Sequence, residues 1–211
     1  MHALIRLTIL AGTAAACLAQ QWEIGGLGGG SFLTSSTVNG AAGAATAGFR
    51  PGPGFGAFFG NIIGGRFGGE MRYMFLDNNL KLSSGGSETT FSGVAHVVHY
   101  DFVWHTKPRE RGAMPYLAGG GGIKVFCGTG SETAYQPLSQ FAYLTKTQQV
   151  VPLISVGGGV KFNLSSRLVL RAEVRDYLTP FPNKVIAPAP GATLGGWLHN
   201  IVPIVGVSLA F

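Results

Sequence analysis

"IVGVSLAF", residues 204–211, closes the sequence and decides how the rest of it is read. Val205, Val207, Leu209 and Phe211 recur with a period of two, and Gly206, Ser208 and Ala210 fill the gaps. Side chains of a strand alternate between its faces, so one face here is strongly apolar and the other small or polar. A soluble domain usually lets its last residues fray into water. This one ends on an aromatic ring, and the question is what the apolar face touches.

The composition narrows the answer. The chain has 34 Gly and 46% hydrophobic residues, but only 11% charged residues. A typical soluble domain carries about 25%, so this chain is short of charge to cover a water-facing surface. The opening segment has an early cation, Arg6, an apolar run, and small residues ending in Cys17-Leu18-Ala19. That layout predicts a secretory signal peptide over 1–19 and a mature domain over 20–211. Cleavage before Cys17, giving a lipoprotein, is the weaker alternative, because Ala14-Ala15-Ala16 lacks the usual leucine. The mature chain would keep a single cysteine, Cys127, which excludes an internal disulfide. After the leader no apolar run approaches the roughly 18 residues of a spanning helix. High hydropathy without helical spans leaves the closed β-barrel as the structure a bilayer permits. The net charge of +6 is dispersed, unlike the clustered Lys and Arg of a nucleic-acid binder, so no nucleic-acid partner is expected.

Working outward from the last strand, eight segments alternate as membrane strands do. They fall at 21–33, 48–60, 64–76, 92–105, 114–126, 150–162, 167–178 and 199–211. In the third, Phe67, Met71, Tyr73 and Phe75 oppose Arg66, Glu70 and Arg72. In the seventh, Leu168, Leu170, Ala172 and Val174 oppose Arg171, Glu173 and Arg175. Short links ("NII", "TKPRERGA", "NLSS") alternate with long ones at 34–47, 77–91, 127–149 and 179–198. An even strand count with alternating short turns and long loops puts both chain ends on the periplasmic side. The expected fold is all-β, a closed antiparallel eight-stranded up-and-down transmembrane barrel. A soluble β-sandwich or lipocalin-like barrel is the competing architecture, with the apolar face turned inward. Low charge and the terminal Phe211 favour the membrane version.

These residues resemble the small eight-stranded outer-membrane β-barrels of Gram-negative bacteria, over essentially the whole mature chain. The resemblance implies placement in the cell outer membrane, contact with its lipid, and recognition of Phe211 as an assembly signal by the barrel-assembly machinery. The family holds scaffolds, pores, adhesins and a few enzymes, so it does not choose an activity. No peptidoglycan-binding domain is expected beyond the barrel.

The polar faces collect Glu23, Arg66, Glu70, Arg72, Asp101, Lys124, Lys161, Arg171, Glu173 and Arg175. Eight strands leave an interior that side chains can just fill, so these charges are expected to pair as a lumen network that plugs the barrel. A selective basic pore is the alternative. The glycine tracts at 28–30, 119–122 and 157–159 suggest phosphate loops only formally. "GPGFGA" at 52–57 fits a dinucleotide pattern, but no helix follows it, and strand glycines permit close approach instead. His99 and Asp101 share a face and His96 points away. With Ser92 as a weak nucleophile they show no catalytic signature, so no enzyme, no catalytic residue, no metal and no cofactor is expected; a lipid-acting enzyme is the second alternative. Trp22, Tyr73, Tyr100, Trp104 and Trp197 fit aromatic girdles. The long loops, one stiffened by Pro182, Pro188 and Pro190, leave an extracellular ligand open. The function expected is a structural or surface-interaction role.

Overall fold

The computed structural model describes residues 21–63, 65–107 and 112–211. The expected signal peptide lies outside them, as does part of the 106–113 link. The strands in chain order begin with β1 (Gln21–Leu33), β2 (Ser36–Gly40), β3 (Gly43–Phe49), β4 (Gly52–Ile63) and β5 (Phe67–Asp77). They continue with β6 (Leu80–Ser84), β7 (Ser87–Phe91), β8 (Gly93–His105), β9 (Gly112–Gly128) and β10 (Ala142–Leu144). The last are β11 (Gln148–Asn163), β12 (Leu168–Pro180), β13 (Ile186–Pro188) and β14 (Trp197–Ala210).

Eight of them close into an antiparallel barrel in the order β1-β14-β12-β11-β9-β8-β5-β4. Closure leaves the barrel no free edge, so every wall strand has a neighbour for its backbone polar groups on both sides. The two ends of the described chain meet beside one another. The Trp22 N–H donates to Phe211 O at 2.9 Å and the Phe211 N–H to Trp22 O at 3.0 Å. The described residues of the short β4–β5, β8–β9 and β11–β12 links share this near rim. In the last of them Ser165 Oγ accepts from Arg167 N at 3.2 Å and from Leu168 N at 3.0 Å, a hydroxyl standing in for a backbone turn bond.

Alternation decides the wall. Along β12 the exposed Leu170, Ala172 and Val174 interleave with the buried Arg171, Glu173 and Arg175. Phe102 and Val205 stay 73% and 65% exposed on the outer surface, an apolar band that only lipid covers comfortably. Among the described residues no helix is long and apolar enough to cross a membrane. The expected second strand is corrected: β4 runs from Gly52 to Ile63, so "NII" belongs to the strand and residues 48 and 49 belong to β3.

The long links are not plain loops. Around the far rim they build a four-stranded sheet, β2-β3-β6-β7, and the β10–β13 pair. Gly85 and Gly86, at φ 56° and 82°, form the two-residue turn between β6 and β7, the backbone a tight hairpin demands. The buried face of this cap carries Val38, Ala47, Phe49, Leu80 and Leu82. It joins Met74, Leu76, Val97, Leu153 and Val202 from the barrel interior in one apolar core. Burying each of these side chains other than Ala47 stabilises by about 1.5–3 kcal/mol, so the cap is welded to the mouth of the barrel.

Candidate functional site

The near half of the lumen holds the charges. Inward positions on β1, β5, β8, β11 and β12 bring together groups up to 148 residues apart in sequence. Lys161 Nζ donates to Glu23 Oε2 at 2.6 Å, and Arg171 donates to the other oxygen of Glu23 at 3.0 Å. Arg171 also reaches Glu70 at 2.8 Å, and Arg72 Nε donates to the second Glu70 oxygen at 3.0 Å. Arg72 then bonds Glu173, which Arg175 approaches at 3.4 Å. Arg175 closes on Asp101 at 2.6 Å, and Asp101 lies 3.1 Å from His99 Nδ1.

Read in order, the sign alternates along Lys161, Glu23, Arg171, Glu70, Arg72, Glu173, Arg175 and Asp101. Each interior member touches opposite charge on both sides. That arrangement answers the desolvation cost of buried ions, which a single pair rarely offsets. Neutral groups finish the hydrogen bonding: Tyr116 OH donates to Glu173, and Ser208 Oγ donates to Glu23 at 2.6 Å. Tyr177 OH lies 3.2 Å from His99 Nε2, and the Phe58 ring lies 3.7 Å beneath the Arg171 guanidinium.

Glycines make this packing fit. A Cβ on Gly157 would stand 2.6 Å from Arg175 Cδ, and one on Gly159 would stand 2.6 Å from Glu173 Cβ. Gly157 and Gly159 therefore clear space for the long side chains of β12, the close-approach role of strand glycines.

Two expected members are not in the network. Arg66 is exposed in the β4–β5 link; the strand starts at Phe67, and alternation does not extend past its first residue. Its carbonyl accepts from His105 Nδ1 at 3.2 Å, and His105 itself turns inward and is buried. Lys124 is fully buried on β9, but its Nζ has no hydrogen-bond partner among the described residues. Its strand neighbours are Val97 and Val151, and its ammonium sits 4.6 Å from the Phe126 ring centroid. Among the described residues the far half of the lumen is mostly apolar core, with Lys124 and the hydrogen-bonded Ser31, Asn78 and Asn200 set into it, so Lys124 takes no part in the expected charge network.

Sequence reasoning also missed Tyr116, Tyr177 and Ser208. Tyr177 follows Arg171, Glu173 and Arg175 at the same two-residue spacing, so its signal was present. Tyr116 lies inward between the outward Pro115 and Leu117, where alternation would have placed it. His99, Asp101 and Tyr177 meet without a serine, and all three are buried. Among the described residues no group of three or more His, Cys, Asp or Glu side chains is placed to hold a metal. Enclosed and neutralised, the network can brace the wall and fill the lumen. On the outer wall Tyr73 OH bonds His96 Nδ1 at 2.9 Å, and Trp22 stacks on Phe59 with centroids 4.9 Å apart.

No family model matches the sequence, and no curated protein matches it. Solved structures do. The outer membrane protein OprG of Pseudomonas aeruginosa superposes with a TM-score of 0.63 at 12% identity, covering 92% of this chain and 96% of OprG. The N-terminal β-barrel domain of OprF from the same organism gives 0.51 at 12% identity, over 90% of this chain and 97% of that domain. Neisserial surface protein A gives 0.51 at 12% identity over the same shares of the two chains. At that identity the likeness speaks for the fold. With its closed wall, outward apolar band and enclosed charges, the chain has the fold of the small eight-stranded outer-membrane β-barrels.

Proposed function

We propose that the protein is a non-conducting outer-membrane barrel whose role is structural and surface-directed, with the far-rim cap as its working face. One observation carries this reading: the lumen is filled by two stacked layers. Alternating ion pairs occupy the near half, and apolar core continuous with the cap occupies the far half. A conduit needs a continuous polar path, and Met74, Leu76, Val97 and Leu153, all buried, stand across it. No catalytic step belongs to the reading. Export by a cleaved signal peptide and recognition of Phe211 by the barrel-assembly machinery belong to it; Phe211 supports the latter by closing the wall beside Trp22 with its ring 69% exposed.

Planar-bilayer recording of the purified protein in concentrated potassium chloride tests the proposal. The expected record is flat, without stepwise conductance. Reproducible unitary steps from the unmodified protein, with an ion selectivity that shifts in Arg171→Ala, would establish a pore and sink the plugged-scaffold reading.

A further inference from the structure

The segment joining β9 to β11 carries a cleft of about 440 Å³ on the cap. Its lining includes Glu132, Thr133, Tyr135, Gln136, Ser139 and Tyr143. Tyr135 and Tyr143 are 77% and 43% exposed. Neither ring packs against another aromatic, and neither hydroxyl is engaged by a protein group among the described residues, in contrast to the buried Tyr116 and Tyr177. These are aromatic faces presented to water, far from the lipid-facing girdles that explain the other exposed rings.

The cleft is also held in shape. Leu138 adopts φ 65° while its side chain packs on the apolar core. A bulky residue in the left-handed region is strained and persists only where surroundings over-determine it, commonly at ligand clamps. The Gln136 side chain donates to Leu144 O and accepts from Leu144 N, both at 3.0 Å. Glu132 Oε1 accepts from Lys146 N at 2.5 Å, and Thr145 Oγ1 donates to Lys184 O at 2.6 Å. A site fixed in this way loses little entropy when it is occupied.

We propose that this cleft binds a neutral saccharide. The apolar C–H faces of a hexose stack on exposed aromatic rings, and its hydroxyls need paired donors and acceptors at the edges. The two tyrosine rings supply the first. Their hydroxyls, Ser139 Oγ and the second oxygen of Glu132 supply the other. No Lys or Arg side chain lines the cleft, so sulfated or phosphorylated sugars find no cation there. The volume falls within the general range of small-ligand sites, about 300–1,000 Å³. The outer sugars of lipopolysaccharide in the same leaflet and the glycans of another cell share this neutral chemistry. The inference rests on the reading of the cap as the working face and names what that face takes.

The test uses the mature protein in nanodiscs, with binding followed by calorimetry and saturation-transfer NMR. Three probes are compared: a neutral, phosphate-free outer-chain oligosaccharide purified from lipopolysaccharide, lacto-N-tetraose, and a heparin-derived tetrasaccharide. Binding by either neutral probe is expected, and which one binds identifies the source. Tyr135→Ala and Tyr143→Ala should each weaken it about tenfold, roughly the worth of one aromatic face. The wall variant Tyr73→Ala should leave it unchanged. All variants are checked for heat-modifiable migration, so loss of fold is not mistaken for loss of binding. Binding of neither neutral probe, indifference to both tyrosines, or preference for the heparin fragment overturns the proposal. Those outcomes leave the plugged-scaffold reading standing, because that reading falls only to conductance.

Discussion

Glu173 touches Arg72, Arg175 and Tyr116 at once, and Lys124 on β9 touches no hydrogen-bonding group among the described residues. The two are buried alike and should respond oppositely to removal. Glu173→Ala takes one of two acidic partners from Arg72 and from Arg175, and Glu70→Ala does the same to Arg72 and Arg171; breaking a buried pair costs about 3–5 kcal/mol. Both variants should therefore lower the midpoint of reversible urea unfolding in lipid vesicles. Lys124→Met removes a buried charge that no acid compensates, so its midpoint should hold or rise. A loss like that of Glu173→Ala would mean Lys124 has a partner. The glycines make a second contrast. Gly159→Ala forces a Cβ to 2.3 Å from Ala172 O, whereas a Cβ on the outward Gly26 meets nothing within 4 Å. In the same assay Gly159→Ala should destabilise clearly and Gly26→Ala hardly at all. Alternation made Glu23, Glu70, Arg72, Arg171, Glu173 and Arg175 legible as one inward set. It left the pairing hidden, because the partners lie on strands far apart in sequence.

At the scale of the element, the cap strands were the part the sequence kept to itself. β2, β6 and β7 are five residues each, and β3, "GAATAGF", has little side-chain contrast to alternate. The usable signal was "SSGGSETTF": two glycines between polar runs are a hairpin turn. Gly86→Val should unravel the β6–β7 hairpin, because a β-branched residue resists φ 82°. Amide exchange at Thr89 and Thr90 would rise while the barrel strands stayed protected. The hairpin also carries a pH response. Hydrogen bonds from Lys81 and then Arg50 hold the Glu88 carboxyl below its ordinary value of 4.5. Its folded value is depressed, so its contribution is present above the ordinary glutamate range and disappears as the pH falls through the lowered value. A carboxyl NMR titration should find the Glu88 midpoint below that of an unpaired glutamate. Lys81→Met should move it upward; an unmoved midpoint would mean that the bridge does not form in solution.

For the whole molecule, the even strand count, the shared rim of the two described ends and the outward band could all be read before any coordinates. The division of the lumen into two layers could not. In β14 both faces are apolar over much of the strand: Leu198, Val202 and Ile204 turn inward while Ile201 and Val205 turn outward. Alternation carries no information where both faces want to leave water, and only the cap that fills the far rim explains why the inner face does. The central claim is that the apolar face of the closing strand meets lipid and the charged face is enclosed. Spin labels placed singly from Ile201 to Leu209, in a Cys127→Ser background in lipid vesicles, test it most directly. Accessibility to oxygen, which concentrates in lipid, should peak at residues 201, 203, 205, 207 and 209, with a water-soluble nickel chelate excluded there. The positions between them should be poorly accessible to both reagents. Loss of the two-residue period, or its reversal with the chelate reaching Val205 and Val207, would contradict the account.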